Sequence, residues 1–461
     1  MEPLQYTSLV SMFFATCSRD DFGGWYKRTD GQWLHYSRDF LRDSAIYLSI
    51  ALNNRGLKPH DSVSIIAPSS PEWFIADIAT QINHAQVAPL FPNISSENFT
   101  FQCDDSGAQI LFVNTIAELD EPLHKFLPRF KLIICINPAS ELPENGIYWN
   151  NLIDEGKELA ESNRYFSWVD DQIQSIRPDD LFSIIYTSGS LGSPKGVDLS
   201  QRNMLAQIQN LMELFPLNSE EDVCLTILPV AHILERMAVY FYMLNGVRIY
   251  FGDTPKNVAT MLTEVHPTVM IVVPRILERL YESMTMIGDK AKGFKRLVIQ
   301  NAVKLAKISE PGKGRSLMQR IYDRLVYRKM RDALGGKFKL IVSGSCALNK
   351  SILRFLLNIG LPVYEGYGMT ECSPVVSANC PKVSKAGTIG KPLSLLEVKI
   401  GDNSEIWVKG DSVFVGYHND PVTNKRVFTE DGFFKTGDQG FFDSDDFLNF
   451  TGRIKELLKT S

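Results

Sequence analysis

An alternation carried through most of the length limits what this chain can fold into. Short apolar runs at Ser62–Ala67, Gln86–Leu90, Ala108–Val113 and Leu132–Ile136 are separated by longer stretches such as the amphipathic Pro71–Ile82. The pattern resumes at Leu181–Ile185, Val247–Phe251, Thr268–Val273, Lys339–Ser343 and Pro362–Tyr364. Runs this short read as strands, and helical stretches between them argue for parallel sheets covered by helices. Ligands of such sheets sit beyond the carboxyl ends of the strands. Near residue 380 the texture changes. Glu397–Ile400, Ser404–Val408 and Val413–Gly416 alternate in character between turns at Gly401-Asp402-Asn403 and Lys409-Gly410-Asp411. That is the pattern of a small antiparallel sheet or barrel.

After the run Leu181–Ile185 comes Tyr186-Thr187-Ser188-Gly189-Ser190-Leu191-Gly192-Ser193-Pro194-Lys195-Gly196-Val197. Small hydroxyl residues and glycines let backbone N–H groups wrap phosphate oxygens, and a lysine adds a point charge. The stretch is not a Walker A loop, because Ser193 and Pro194 separate Gly192 from Lys195. A kinase or P-loop ATPase is disfavoured on that ground. A flexible surface turn has a similar composition.

Three further stretches carry chemistry. Tyr364-Glu365-Gly366-Tyr367-Gly368-Met369-Thr370-Glu371 places a ring, a hydroxyl and a carboxylate close together after a short strand. The ring can stack on a purine, the hydroxyl can bond a phosphate oxygen and the carboxylate can hold Mg²⁺ against phosphates. Phe433-Phe434-Lys435-Thr436-Gly437-Asp438-Gln439-Gly440 sets Asp438 in what reads as a tight glycine turn. Each of these two is by itself also consistent with a structural turn. Leu228-Pro229-Val230-Ala231-His232-Ile233-Leu234-Glu235-Arg236 opens an apolar helical stretch, where Glu235 and Arg236 are costly unless paired or turned outward.

The composition sets outer limits. Hydrophobic residues at 44% with 22% charged residues describe a soluble globular chain, and 461 residues exceed one ordinary domain. A formal charge of −5 gives no drive toward nucleic acid. Cys17, Cys103, Cys135, Cys224, Cys346, Cys372 and Cys380 show no ligand-like spacing, which suggests reduced thiols and a cytoplasmic setting. Met1-Glu2-Pro3 lacks the basic start of a signal peptide, and no segment reads as a spanning helix. Between Asp289 and Arg331, however, thirteen Lys or Arg stand against three acidic residues. There Leu317, Ile321 and Leu325 recur among Arg320, Arg324, Arg328 and Lys329. The fold-level expectation is that this stripe packs on the core. The alternative is peripheral contact of segment 289–331 with an anionic membrane on its inner face.

Taken together the motifs resemble adenylate-forming enzymes, the superfamily of acyl-CoA synthetases, luciferases and peptide-synthetase adenylation domains. The form Leu-Pro-x-x-His-x-x-Glu-Arg at 228–236 is similar to that of long-chain fatty acid–CoA ligases. So are Val273-Pro274-Arg275-Ile276-Leu277-Glu278-Arg279-Leu280-Tyr281, the basic insertion after it, and Val342-Ser343-Gly344-Ser345. The likeness runs from about Trp25 to Ser461 in five ordered motifs. It implies an α/β fold of two helix-covered, largely parallel sheets plus a small antiparallel β-barrel subdomain. Residues 1–450 would form the AMP-binding large domain, with α/β subdomains over 1–380 and the small β subdomain over 381–450.

The resemblance implies roles residue by residue. Thr187, Ser188, Gly189, Ser190, Gly192 and Lys195 would cradle the β- and γ-phosphates of ATP. Tyr367 would lie against adenine, Thr370 at the α-phosphate and Glu371 near Mg²⁺, with Gly368 also in the nucleotide site. Asp438 would hold the ribose, Arg453 would reach the ribose or phosphate, and Ser345 with Cys346 would form the adenine wall. His232 would orient the fatty-acid carboxylate, and Lys455 would be the hinge, 451–461 leading to a C-terminal domain beyond Ser461. Three positions depart from the usual pattern: Leu191 for a threonine, Gln201 for a histidine, and Ser345-Cys346-Ala347 for Gly-Ala-Pro.

The implied activity is ATP-dependent conversion of a long-chain fatty acid to acyl-adenylate, then to acyl-CoA with coenzyme A as co-substrate. The family's catalytic lysine belongs to the C-terminal domain, of about 100 residues, so this chain alone is expected to adenylate poorly. Alternatives are a fatty acyl-AMP ligase, an acyl-carrier-protein synthetase, or a non-catalytic ATP- or acyl-AMP-binding module.

Overall fold

Apolar runs bury as strands covered on both faces. Every residue of Ser62–Ile66, Leu132–Cys135 and Val269–Val272 is buried, as expected of parallel sheets between helix layers. The computed structural model describes residues 5–138, 141–161, 164–187, 194–290, 292–312 and 316–454. Among these residues the strands form three sheets.

The first sheet has eight strands, in the order 416–417, 195–200, 181–187, 86–89, 62–66, 108–113, 132–135 and 146–148. From Leu181–Thr187 onward its pairs are parallel, while Lys195–Ser200 and Gly416–Tyr417 are added antiparallel at one edge. The second has nine, in the order 391–392, 375–378, 363–368, 340–343, 269–272, 223–226, 248–251, 25–29 and 32–36. Its interior is parallel and its outermost pairs are antiparallel. The third is an antiparallel four-stranded sheet of Glu397–Ile400, Glu405–Lys409, Phe434–Phe442 and Leu448–Arg453. The expected α/β class with a small antiparallel sheet is the observed one. Segment 381–450 contributes to all three sheets, because Lys391–Pro392 joins the second and Gly416–Tyr417 the first.

Two helices are buried at every position, Pro71–Ile82 and Ile233–Leu244. The first starts sharply, with Ser70 Oγ accepting from Trp73 N and Pro71 in the first turn. Inside this core Arg236 is fully buried, so its charge must be compensated. Asp77 compensates it: Nε donates to Oδ2 at 2.9 Å and Nη2 donates to Oδ1. Nη1 donates to Ser183 Oγ at 2.7 Å, and Tyr240 donates to Asp77 at 2.6 Å. The guanidinium also lies over the rings of Trp73 and Phe182. One ion pair thus joins both central helices to the strand Leu181–Thr187, which leads into the glycine-rich stretch.

The basic segment corrects an expectation. Its helices are Gly293–Ile308, Leu317–Tyr322 and Arg328–Asp332, with a π-turn at Asp323–Tyr327. Leu317 is 74% exposed and Leu325 53%. The stripe 317/321/325 therefore does not pack on the core. Val326, Tyr327 and Met330 do, and Tyr327 Oη donates to Ala302 O at 2.8 Å. A π-turn adds a residue to the helical repeat, which lets the neighbouring stripe meet the core.

Candidate functional site

A cavity of about 410 Å³ draws its walls from all three sheets. Lys195 stands opposite Thr187 in the antiparallel pair that flanks the glycine-rich stretch, and both line the cavity. Ser188, Gly189, Ser190 and Gly192, and the hinge candidate Lys455, lie outside the described residues. The Lys195 ammonium sits 4.7 Å above the Tyr417 ring and 3.5 Å from Thr423 Oγ1. Among the described residues no carboxylate pairs with it, which leaves its charge available to an anion.

Tyr417 is held beside this strand because Gly416–Tyr417 pairs with Asp198 and Val197. Its hydroxyl donates to Glu371 Oε1 at 2.8 Å. Glu371 follows Thr370 in a 3-10 turn, and burial raises its carboxyl above the usual range while the Tyr417 bond opposes that. Thr370 is buried in the same wall. Gly368 is needed for close approach, since a Cβ there would stand 2.0 Å from Pro374 O.

Asp438 lies within the strand Phe434–Phe442, opposite Arg453, and not in the tight turn that its glycine neighbour suggests. Gly437, at φ +75°, distorts the strand locally without ending it. Asp438 Oδ2 accepts from Tyr367 Oη at 2.8 Å, and Arg453 Nε stands 3.3 Å from Oδ1. The Tyr367 phenol is pushed well up by burial and by Asp438, so it remains a donor. The strand Val363–Gly368 carries Tyr367 further than the expected Pro362–Tyr364.

His232 caps the helix Ile233–Leu244, with Nδ1 accepting from Leu234 N at 3.1 Å. Burial lowers its pKa, which favours the neutral ring. With Nδ1 engaged as acceptor, the neutral ring carries its proton on Nε2 and can donate there. His232 lines the same cavity as the apolar side chains of Leu211, Phe215, Met237, Phe241, Ile271 and Val342.

The structure brings Thr187, Lys195, His232, Ser345, Tyr367, Gly368, Thr370, Glu371, Asp438 and Arg453 to one cavity. It does not bring Cys346, which is exposed and outside the wall. Ser345 adopts φ +72°, so the chain turns there and its neighbour faces away. Tyr417 and Thr436 also line the cavity and were missed. Tyr417 meets Glu371 across 46 positions, a relation no local motif records.

Among the described residues no three His, Cys, Asp or Glu side chains cluster as metal ligands. A lone carboxylate suits Mg²⁺ shared with substrate phosphates better than a metal caged by protein.

The family described as AMP-binding enzyme matches residues 23–418. Long-chain-fatty-acid–CoA ligase FadD15 of Mycobacterium bovis is 32% identical over 99% of this chain and 76% of its own length. Long-chain-fatty-acid–CoA ligase 1 of Homo sapiens is 28% identical over 93% of this chain and 64% of its own. Among solved structures, the N-terminal domain of FACL13 from Mycobacterium tuberculosis aligns with a TM-score of 0.70 and 17% identity, covering 97% of this chain and 100% of that one. O-succinylbenzoate coenzyme A synthetase of Bacillus subtilis, in complex with AMP, aligns with a TM-score of 0.68 and 18% identity, covering 97% and 79%. The chain belongs to the AMP-binding, adenylate-forming enzymes of the long-chain-fatty-acid–CoA ligase family.

Proposed function

We propose that this chain binds ATP and a long-chain fatty acid and activates the acid, first as acyl-adenylate and then as the coenzyme A thioester. One observation carries the reading: a single cavity is lined by a lysine with no carboxylate partner among the described residues, a buried Asp–Tyr pair, His232 and a set of apolar side chains. In the first step a carboxylate oxygen attacks the α-phosphorus of ATP and pyrophosphate leaves. Two anions must approach, so neutralising charge dominates the task. Lys195 offsets the β- and γ-phosphates, and Thr370 donates to the α-phosphate. Asp438 accepts from the ribose hydroxyls beside Arg453, with the Tyr367 ring along the base. His232 Nε2–H holds the fatty carboxylate, which is already ionised and needs no general base. Mg²⁺ would be held by Glu371 together with the phosphates and would offset charge on the leaving group. In the second step the coenzyme A thiolate attacks the acyl carbon and AMP leaves.

The test is an assay with palmitate, ATP and Mg²⁺, with and without coenzyme A, following pyrophosphate, AMP and thioester. Slow palmitate-dependent pyrophosphate release, with thioester only when coenzyme A is present, is the expected result. Adenylate that accumulates without passing to coenzyme A would favour a fatty acyl-AMP ligase instead. ATP turnover indifferent to the fatty acid would refute the proposal.

A further inference from the structure

The edge strand Gly416–Tyr417 brings Tyr417 to the cavity on little backbone pairing. Its register against Lys195–Ser200 is two residues long, Gly416 opposite Asp198 and Tyr417 opposite Val197. Beside it, Val415 N donates to Asp198 O at 3.0 Å and His418 N donates to Gly196 O at 2.8 Å. Successive strand residues face opposite sides of a sheet. Lys195 and Tyr417 therefore share the cavity side, while Asp198 and His418 share the other. His418 does not line the cavity.

Behind the sheet His418 makes a second attachment. Its Nδ1 stands 2.9 Å from Asp198 Oδ1, and at 17% and 16% exposure the pair is shielded from much of the screening by salt. The imidazole reaches Asp198 across Gly196, where an added Cβ would stand 2.9 Å from His418 Cβ. The helix Ser96–Ser106 packs on the same group. Its Asp105 faces the ring with carboxylate and main chain, and Asp105 O accepts from Asn419 Nδ2 at 3.3 Å. Tyr186, on the strand that leads into the glycine-rich stretch, donates to Asp105 Oδ2 at 2.8 Å, and burial keeps that phenol neutral. Asp420, on the turn after His418, accepts from Thr423 N at 2.9 Å and caps the next helix. The charged groups acting on the His418 ring are thus two carboxylates, Asp198 and Asp105.

We propose that His418 is a positioning residue for the nucleotide: paired with Asp198, it holds the edge strand 416–417 so that Tyr417 stays between Lys195 and Glu371. The inference rests on the reading of the cavity as an ATP site. Its consequence is a pH dependence of binding. The Asp198 bond, and then the charge of Asp105, keep the ring protonated to a higher pH than a free imidazole, against the effect of burial. Below that pH the pair is charged and the strand is held. As pH rises through it the ring loses its charge and the bond weakens.

The experiment is calorimetric titration of the full chain with ATP and Mg²⁺ from about pH 6 to about pH 9, for the unaltered chain, His418→Gln and Asp198→Asn. The ratio of unaltered to variant affinity cancels the titration of the ligand itself. At the acid end the unaltered chain should bind about tenfold more tightly than His418→Gln, as for a residue acting through its packed neighbours. That ratio should close toward one as pH rises. Asp198→Asn should weaken binding too and move the loss to lower pH, because the ring is then without its main partner. In the unaltered chain ATP should raise the pH at which the His418 ring titrates by NMR, since coupling is reciprocal. That readout stands even if a variant fails to fold. Tight ATP binding indifferent to His418→Gln, or weakened by the same factor at every pH, would overturn the inference and leave the ATP site standing. So would a His418 titration that ATP leaves unmoved. Absence of ATP binding at every pH would overturn the site and the inference together.

Discussion

Tyr417 ties together two of the charged groups that line the cavity. Its hydroxyl donates to Glu371 Oε1 at 2.8 Å while its ring lies 4.7 Å beneath the Lys195 ammonium. A carboxylate and a lysine that would serve the same triphosphate are thus positioned by one side chain, brought in by the short edge strand Gly416–Tyr417.

Tyr417→Phe separates the two contacts. The ring stays under Lys195 and the bond to Glu371 is lost, at a cost of about 1.5–3 kcal/mol for a hydrogen bond to a charged group. ATP affinity measured by calorimetry should fall as Glu371 loses its anchor, and the thermal midpoint should drop by about a few degrees. Undiminished affinity would leave Tyr417 a packing residue only.

Arg236→Ala strands Asp77 in the core. Removing one partner of a buried pair costs about 3–5 kcal/mol. Urea unfolding should show a loss of that size, and a loss below about 1 kcal/mol would mean that water or Tyr240 compensates Asp77 instead.

Glu235 supplies a pH signature. It is fully buried, Thr226 Oγ1 donates to its Oε1, and burial raises its pKa to about 8. Since the unfolded carboxyl ionises near the ordinary value of 4.5, the unfolded state loses this proton first. The contribution is fully present below that value and is lost as pH rises through about 8. Glu235→Gln should flatten the stability–pH curve across that window and raise stability at its alkaline end. An unchanged slope would show that Glu235 ionises normally in the folded chain.

The apolar side chains of the cavity should set acyl length. Val342 lines the cavity from the strand Leu340–Ser343. Val342→Phe fills part of that space, and each methylene excluded from an apolar pocket is worth about 1–3 kcal/mol. The ratio of kcat/KM for palmitate over octanoate should drop at least about tenfold. An unaltered ratio would place the acyl chain elsewhere.

Much of this site was legible because its chemistry is local in sequence. Thr187, Lys195, Thr370 and Glu371 stand where loops follow strands, and the strand–helix alternation puts such loops at one end of a parallel sheet. Asp438 lines the cavity from a strand and not from the turn its sequence suggests, because a glycine at positive φ serves a distorted strand as well as a turn. Tyr417 was invisible, since its importance is a contact made across the fold. The stripe at Leu317 has helical spacing whichever way it faces. The π-turn that settles its direction leaves no composition signal.

The central claim is that one cavity holds an adenylate and a long acyl chain together. Equilibrium binding of a non-hydrolysable palmitoyl-adenylate analogue, compared with its acetyl counterpart and with AMP, tests it directly. The account predicts that the palmitoyl compound binds most tightly, that Asp438→Asn weakens all three, and that Val342→Phe weakens the palmitoyl compound alone. Equal affinity for the palmitoyl and acetyl compounds, or binding indifferent to Asp438→Asn, would contradict it.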